Sequence, residues 1–271
     1  AQSEVSMGGF GEDSGQRVLI LLDGHRLNTA DLGKINWLSI PLGLIESVEV
    51  IQGGQSALYG NNAIGGVIKI TTRKPEDTVS GVFTGSVGSF DAYSGRATVS
   101  GRVGNFGYMV YAEHNETDGY RENSEYEGRG AGFKLDWSHE NYLNAYLSLS
   151  GVESEYGLPG DLSRADYEED PRQSEEPDNN GEDDSLYARG GVEIGLGESV
   201  KLSLDAGYTE RDVSADFVSF FLVIEQEYTI YSFLPAITYE KNGFIAVAGL
   251  DYYDDSVGGS NISTFPGFEG V

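Results

Sequence analysis

Carboxylates are the side chains of this sequence that are most concentrated and best suited to bind an ion. Residues 154–184 carry twelve of them against two arginines, a net charge of −10 within a chain of net charge −27. Clustered carboxylate oxygens are ligands that calcium prefers. The candidate calcium ligands are Asp178, Glu182, Asp183 and Asp184, although the segment lacks the spacing of an EF-hand loop. The alternatives are a solvated, mobile acidic loop, which we expect, and direct capture of a cationic ligand or partner.

Two classes of function find no support in the residue pattern. A strongly negative chain opposes nucleic-acid phosphates, which require basic contacts. The three histidines, His25, His114 and His139, form no H-E-x-x-H or H-x-H pair. His25 follows the Asp23-Gly24 turn, so we interpret it as a packed turn residue. We therefore expect neither an enzyme nor a nucleic-acid-binding protein.

A glycine-rich tract between residues 53 and 66 is the other candidate binding feature, because such tracts can cradle phosphate. It lies between two β-branched runs, residues 48–51 and 67–70. No Gly-Lys-Ser/Thr triplet follows it, as a P-loop requires. After Gly66 the chain enters another strand rather than the helix of a dinucleotide site. The tract therefore predicts two strands joined by a small-residue segment, without a nucleotide.

From Val79 onward, apolar and polar residues alternate, which is typical of β-strands with one apolar face. The predicted strands run about nine to thirteen residues, a length that suits a tilted membrane crossing better than a soluble sandwich. Short and long connections alternate, as they do in outer-membrane barrels. No apolar run approaches the roughly 18 residues of a membrane helix. We therefore expect any membrane span to be formed by strands.

Counting the alternating segments gives nine strands. They cover residues 79–88, 92–103, 106–116, 126–137, 141–153, 184–196, 199–211, 226–240 and 243–256. Bacterial single-chain barrels have an even number of strands. We therefore expect the sequence to be incomplete at its C-terminus.

Four sequence blocks around the glycine tract identify a family. They are Leu22-Asp23-Gly24, Ile45–Val50, Ser56–Gly60 and Ala63–Ile68. In this order they resemble the second half of the plug domain of TonB-dependent outer-membrane receptors. The resemblance implies an all-β dominated antiparallel transmembrane β-barrel, with 22 strands in the family, behind an N-terminal α+β plug.

The same resemblance divides the chain and assigns some of its residues. It implies that residues 1–77 are the C-terminal portion of the plug and residues 78–271 the N-terminal portion of the barrel. The energy-coupling box of the family would lie before Val5, so we expect the N-terminus to be incomplete too. The family uses the Asp23-Gly24 pair as a turn, which assigns Asp23 a structural role.

The function implied by the resemblance is active uptake across the cell outer membrane of a Gram-negative bacterium. A TonB-type inner-membrane protein would supply the energy, and the barrel would contact outer-membrane lipid. The ligand would be scarce and large, such as a ferric siderophore or cobalamin. Iron or cobalt would then arrive with the ligand. We expect no resident cofactor, and calcium is the alternative. The alternatives are a passive or structural outer-membrane barrel and, less favoured, a soluble β-rich enzyme.

The apical loop of the plug holds the candidate ligand contacts. That loop resembles the apical loop of cobalamin receptors, and a plain solvated turn is its alternative. The residues are Asn28, Thr29, Ala30, Asp31, Leu32, Gly33 and Lys34.

Two positions depart from the family pattern. Gly8 and Gln52 stand where the family commonly has arginines, which are thought to pair with barrel glutamates and retain the plug. Removing one partner of a buried ion pair leaves an unpaired charge. We therefore expect the charges that retain this plug to have changed on both sides.

Overall fold

The computed structural model describes residues 5–9, 17–29, 35, 37, 40, 42–140 and 142–263. These residues form two β-sheets with few helices. We call the four-stranded sheet of residues 18–72 the plug sheet and the sheet of residues 80–263 the wall sheet. The two lie on either side of the predicted domain boundary at residue 77. None of the described helices is long and apolar enough to cross a membrane.

The plug sheet has the strand order β2-β1-β4-β3. Its elements are β1 (Val18–Leu22), β2 (His25–Arg26), β3 (Ile45–Gln52), α1 (Ser56–Tyr59) and β4 (Gly66–Thr72). Strand β1 runs parallel to β4, and β3 runs antiparallel to it. The predicted pair of strands around the glycine tract is thus present, with one helical turn in the tract.

Strand β1 is apolar along its whole length because both of its faces are covered. Val18 and Ile20 pack into one buried cluster, which also contains Tyr187 from the wall sheet. Leu19, on the other face, packs against Ala63 and Val67. The plug core is therefore completed by a side chain from the wall.

Gly66 is required where the glycine tract enters β4. Its φ is 155°, and a Cβ at this position would lie 2.5 Å from the carbonyl oxygen of Ile51. Only glycine lets the two backbones approach this closely.

The wall sheet is an antiparallel meander in which each strand pairs with the next. Its strands are β5 (Ser80–Val87), β6 (Tyr93–Val103), β7 (Phe106–Thr117), β8 (Tyr126–His139), β9 (Leu143–Gly157), β10 (Asn180–Leu196), β11 (Val200–Phe217), β12 (Leu222–Lys241), β13 (Phe244–Gly249) and β14 (Tyr252–Ser263). A short helix, α2 (Arg164–Glu169), lies between β9 and β10.

Strands β13 and β14 both pair with β12, at its two ends. They fill one position in the sheet, interrupted at Leu250 and Asp251. The described residues therefore form nine strand positions, which confirms the predicted number. The outermost strands, β5 and β14, do not pair with each other, so this part of the chain forms a wall that is not closed.

Two predicted loops are wrong at their ends. The connections left between the predicted strands, residues 154–183 and 212–225, were expected to be loops, but β9 reaches Gly157, β10 begins at Asn180 and β11 reaches Phe217. Acidic residues in these segments looked like loop residues in the sequence. They are accommodated in strands because outward carboxylates contact solvent while an inward one, Asp183, is paired by an arginine.

Strand β10 shows how the two faces of the wall differ. Its outward face carries Leu186, Ile194 and Leu196, which are 38%, 40% and 52% exposed. Its inward face carries Tyr187 and Arg189, which are buried. Farther along the outward face, beyond Leu186, carboxylates replace the apolar side chains at positions 184 and 182.

Exposed apolar side chains cover the outward face of the other strands as well. Examples are Phe83, Val99, Val110, Leu147 and Leu202, with exposed fractions from 38% to 78%. A soluble monomer rarely exposes so large an apolar surface. The alternation predicted from the sequence is thus present, with its apolar side facing away from the plug.

Candidate functional site

The site where the plug meets the wall is built around the turn after β1. Asp23 has a φ of 50°, and the following glycine also has a positive φ, which makes the predicted turn. One carboxylate oxygen of Asp23 accepts from the backbone N–H of Thr72 at 2.8 Å. The other accepts from the Thr72 hydroxyl at 2.5 Å. Asp23 thereby fastens the β1–β2 turn to the end of β4.

Two basic side chains of the wall point at the same carboxylate. Lys134 on β8 places its Nζ 3.2 Å from Asp23 Oδ2 and also bonds the Thr72 hydroxyl. The Nη1 of Arg189, on β10, lies 4.0 Å from Asp23 Oδ2. We call Asp23, Thr72 and Lys134 the plug latch. It is a contact between the two sheets made by charge and hydrogen bonds rather than by apolar packing.

Asp23 is ionised in the plug latch. Burial alone would raise the pKa of its carboxyl group, but the charge of Lys134 and the two bonds from Thr72 outweigh burial. Together they hold the pKa of Asp23 below its ordinary value. The latch is therefore a charged contact at neutral pH.

His25 makes a second polar contact with the wall. Its side chain is buried, with Nδ1 2.7 Å from the Ser232 hydroxyl on β12. Gly207 on the neighbouring strand leaves room for the ring, since a Cβ there would lie 2.7 Å from Nδ1. Burial and the nearby Arg189 lower the pKa of His25 to about 4, although Asp23 opposes this. The imidazole is thus neutral at physiological pH.

The two positions that depart from the family pattern lie elsewhere. Gly8 is in a turn with φ 76°, and Gln52 is the last residue of β3. The charges described here have the reverse arrangement, with the carboxylate on the plug and the cations on the wall. This arrangement needs no plug arginine at position 8 or 52.

At the opposite end of the wall, the acidic loop between β9 and β10 is tied to the loop between β7 and β8. Arg121 donates to the backbone carbonyls of Gly160, Gln173 and Pro159, at 2.6, 3.1 and 3.1 Å. The Asn123 amide donates to two further carbonyls of the acidic loop, at 2.6 and 2.7 Å. The expected acidic loop thus has solvated carboxylates but an anchored backbone.

The four candidate calcium ligands do not converge in the structure. Asp178 lies in the loop and is exposed, while Glu182 and Asp184 project outward from β10. Asp183 projects inward, where Arg211 holds both of its carboxylate oxygens at 2.9 and 2.6 Å. Calcium binding by this set stays a prediction, and it would require these side chains to rearrange.

A different set of carboxylates lies closer together. Oxygens of Glu210, Asp212 and Glu227 lie within 4.8 Å of one another on β11 and β12. Their side chains are partly or fully exposed. Exposed acidic groups of this kind are common without an ion, so we assign no site to them.

The candidate ligand contacts of the apical loop are described only in part. Asn28 is buried, and its amide bonds the backbone N–H of Ile20 at 2.8 Å and the carbonyl of Val18 at 3.0 Å. Thr29 is 8% exposed. Residues 30–34, including Asp31, Leu32 and Lys34, lie outside the described residues. Ligand contact by this loop stays a prediction, and Asn28 also serves as a bridge along β1.

Lys134, Arg189 and Arg211 were not among the residues selected from the sequence. The available signal was their position. Each is a basic residue on the polar face of an alternating pattern. Lys134 and Arg189 lie within their predicted strands, and Arg211 is the last residue of its predicted strand. Ionisable residues at membrane depth are costly and are usually functional. Only the identity of their partners could not be predicted without the structure.

Comparison with known proteins agrees with this architecture. The family model described as "TonB-dependent Receptor Plug Domain" matches residues 1–67. The chain is 34% identical over 142 residues to the vitamin B12 transporter BtuB of Photobacterium profundum, covering 48% of this chain and 23% of that protein. It is 32% identical over 202 residues to BtuB of Vibrio vulnificus, covering 73% of this chain and 29% of that protein. The chain thus spans less than a third of the length of these relatives.

Among solved structures, the ferric citrate transporter FecA in its unliganded form superposes with a TM-score of 0.82 at 20% identity. The match covers 97% of this chain and 42% of FecA. The ferric yersiniabactin uptake receptor FyuA of Yersinia pestis superposes with a TM-score of 0.77 at 18% identity, over 91% and 41% of the two chains. These likenesses show the fold.

By their names, all four proteins are transporters or receptors and none is an enzyme, in agreement with the expectation from the sequence. The plug match, the antiparallel wall and the sequence relatives lead to one family. The chain belongs to the TonB-dependent receptors.

Proposed function

We propose that the protein containing this chain takes up a scarce, large ligand across the outer membrane of a Gram-negative bacterium. A TonB-type inner-membrane protein supplies the energy. The observation that carries this proposal is the plug sheet, held against the inward face of the wall by a few polar contacts and by the apolar contacts of Tyr187 and Leu44. A passive or structural barrel has no need of a separate folded sheet on its inner face.

The location follows from the outward face of the wall. That face exposes leucine, isoleucine, valine and phenylalanine over many strands. Hydrocarbon would cover this surface, because lipid-facing residues of outer-membrane barrels form such an apolar band. The inward face carries the charges and hydroxyl groups that contact the plug. The outer membrane is therefore the proposed location, and its lipid is a proposed partner.

The latch suggests how the plug is released. The Asp23–Lys134 contact and the His25–Ser232 hydrogen bond join the two sheets through a few side chains. Force applied to the plug can break such contacts one at a time, whereas the buried core of β1 has to open as a unit. Movement of the β1–β2 turn away from Lys134 is the proposed early step. A path along the polar inward face would follow.

Cobalamin is the ligand to test first. Both sequence relatives described above are named as vitamin B12 transporters. The solved receptors for ferric ligands are at most 20% identical to this chain, so they support the fold and not the ligand. A ferric siderophore remains the second candidate.

The experiment is an uptake assay in the source bacterium. We expect deletion of the gene to abolish accumulation of radiolabelled cobalamin, and deletion of the inner-membrane coupling protein to have the same effect. Parallel assays with labelled ferric siderophores identify the ligand if cobalamin uptake is unchanged. A matched control replaces Arg129, an exposed outward residue on β8, with glutamine, and should leave uptake intact.

The passive-barrel alternative predicts a different result. Small solutes would then enter at a rate that depends on this gene but not on the coupling protein. Uptake of every tested large ligand would also be independent of both genes. That combination would overturn the proposed function.

A further inference from the structure

A chamber with a basic lining lies between the plug sheet and the end of the wall nearest its short turns. It has a volume of about 770 Å³ and is bounded by residues 23–24 and 69–75 of the plug, by Arg102 on β6 and by strands β8 to β11. Its charged lining residues are Lys69, Arg73, Lys74, Arg102, Lys134 and Arg189, with Asp23, Asp136, Glu193 and Asp205. These side chains give the chamber a net charge of +2, within a chain whose net charge is −27.

The acidic residues of the lining are already engaged. Asp136 accepts two bonds from Arg102, at 2.8 and 3.2 Å. Asp205 accepts from the Tyr146 hydroxyl at 2.6 Å. Glu193 accepts from an asparagine amide on β9 at 3.2 Å. Each of these three carboxylates thus has a partner of its own, and the carboxylate that forms an ion pair with Arg189 is Asp23.

Arg189 is the cation that this arrangement leaves incompletely satisfied. The residue is 6% exposed, and its ring contact is with Tyr187, whose centroid lies 5.4 Å from the guanidinium carbon. Its Nε and Nη2 atoms are buried and have no hydrogen-bond partner among the described residues. The third nitrogen, Nη1, is 4.0 Å from Asp23, which is too long for a hydrogen bond.

Asp23 is not placed to satisfy the hydrogen-bond donors of Arg189. Both of its oxygens already accept bonds from Thr72, and one of them also accepts from Lys134. A buried guanidinium without hydrogen-bond partners is costly. Its planar fork matches the two oxygens of a carboxylate or phosphate. The group that would satisfy Arg189 best is therefore an oxyanion.

We propose that this chamber is an oxyanion-binding site, in which Arg189 is the central contact for a carboxylate or phosphate group. Arg73 and Lys74, which are exposed at the plug side of the lining, add positive charge at its entrance. The volume is within the range of small-molecule pockets, roughly 300–1,000 Å³. The proposal goes beyond the proposed function, because binding can be measured in the purified protein without transport.

The test is calorimetric titration of the detergent-purified protein that contains this chain, at constant ionic strength. Inorganic phosphate and citrate serve as separate probes of the two oxyanion chemistries. Arg189→Gln should weaken binding by at least about tenfold, since hydrogen bonds to a charged group are lost. Arg129→Gln, on the outward face of β8, is the matched control and should bind like the unaltered protein.

Because Arg189 also lies beside Asp23 of the plug latch, a second variant tests the same site away from the latch. The double substitution Arg73→Gln and Lys74→Gln changes two exposed side chains and should weaken binding about threefold, through lost attraction at the entrance. Binding of either probe that falls in these variants supports the site. The absence of binding by both probes, or binding that is unchanged in both variants, overturns it.

Discussion

Two buried arginines on neighbouring strands of the wall have different surroundings. Arg211 on β11 and Arg189 on β10 are 8% and 6% exposed, and each lies over a tyrosine ring. Arg211 donates to both carboxylate oxygens of Asp183, at 2.9 and 2.6 Å. Arg189 makes no comparable pair within the described part of the chain, where the carboxylate that approaches it belongs to the plug.

The difference follows from which parts of the molecule are joined. Asp183 and Arg211 lie on strands that pair directly, so their contact is part of the wall. Arg189 faces the joint between wall and plug, where the contacts have to break if the plug is to move. Of these two arginines, the one within the wall is thus fully paired, and the one at the joint that is proposed to open is incompletely paired.

Substitution of Arg211 is the change with the largest expected effect. Arg211→Met leaves Asp183 as a buried unpaired carboxylate, so it should destabilise the wall by about 3–5 kcal/mol. The measurement is the free energy of refolding into lipid vesicles. Adding Asp183→Leu should recover most of the loss, because the unpaired charge is then removed. If the double variant were as unstable as the single one, the pair would not be the reason for the loss.

The comparison requires both arginines to face the interior of the wall. New arginines on the two faces of β11 test this assignment of faces. Leu204→Arg places a charge on the outward face of β11 and should cost roughly 2–4 kcal/mol near the bilayer midplane. Ser203→Arg, which points inward, should have a much smaller effect. Leu202→Arg is the matched second outward change. Equal losses at positions 202, 203 and 204 in the same titration would contradict the assignment of faces.

The contact between the plug and the wall should weaken in acid. The pKa of His25 in the folded protein is about 4, below its ordinary 6.5. The unfolded plug therefore binds a proton first as the pH falls, and the folded plug loses up to about 3 kcal/mol between these values. Asp23 acts in a lower window: its pKa is depressed, so its stabilisation is present above its ordinary pKa and is lost as the pH falls through the folded value.

Urea-induced opening of the plug, followed at several pH values with a fluorophore on the exposed strand β3, measures this effect. His25→Gln is the control and should flatten the response between pH 6.5 and 4, because it removes the titrating group. A wild-type response that the substitution leaves unchanged would show that another group is responsible.

Within the plug joint, the two cations near Asp23 should differ. Lys134→Met removes a hydrogen bond to a charged group and should ease plug opening by about 1–3 kcal/mol. Arg189→Met removes a charge without a hydrogen-bond partner among the described residues, and methionine keeps apolar contact with the tyrosine ring. Its cost should be below about 1 kcal/mol. The same urea assay measures both costs. A larger cost for Arg189→Met than for Lys134→Met would show that Arg189 is the principal anchor of Asp23.

The smallest expected energetic effect comes from the acidic loop above the Asp183–Arg211 pair. Its carboxylates should attract a cationic ligand over about 8 Å at physiological salt. Neutralising Glu168, Glu169, Asp170, Glu175 and Glu176 should slow association at low salt and leave dissociation nearly unchanged. Stopped-flow binding measures both rates. An association rate that is the same with and without these charges would show that the loop does not steer the ligand.

The alternation of apolar and polar residues was sufficient to predict the number of strands and which residues share a face, because it can be recognised in each segment separately. It was insufficient at strand ends, where carboxylates at positions 155 and 182 suggested a loop although they project outward into solvent. It also could not predict the latch. Asp23 and Lys134 are 111 residues apart, and nothing in either local sequence specifies the other as its partner. The Asp23-Gly24 sequence predicted the turn at Asp23 but not its contact with Lys134.

The outward face of β10 also fixes how deep the sheet can sit in the proposed membrane. Its apolar run ends at Leu186, and the next outward residue is Asp184, which is paired laterally with Glu153 and Asp212. A shift toward the midplane by one residue pair, about 6.7 Å along the strand, would carry this whole row of carboxylates into hydrocarbon. With strands tilted by roughly 40°, that is about 5 Å of depth. The row therefore sets the vertical position of the sheet to within one residue pair, whatever the loops above it contact.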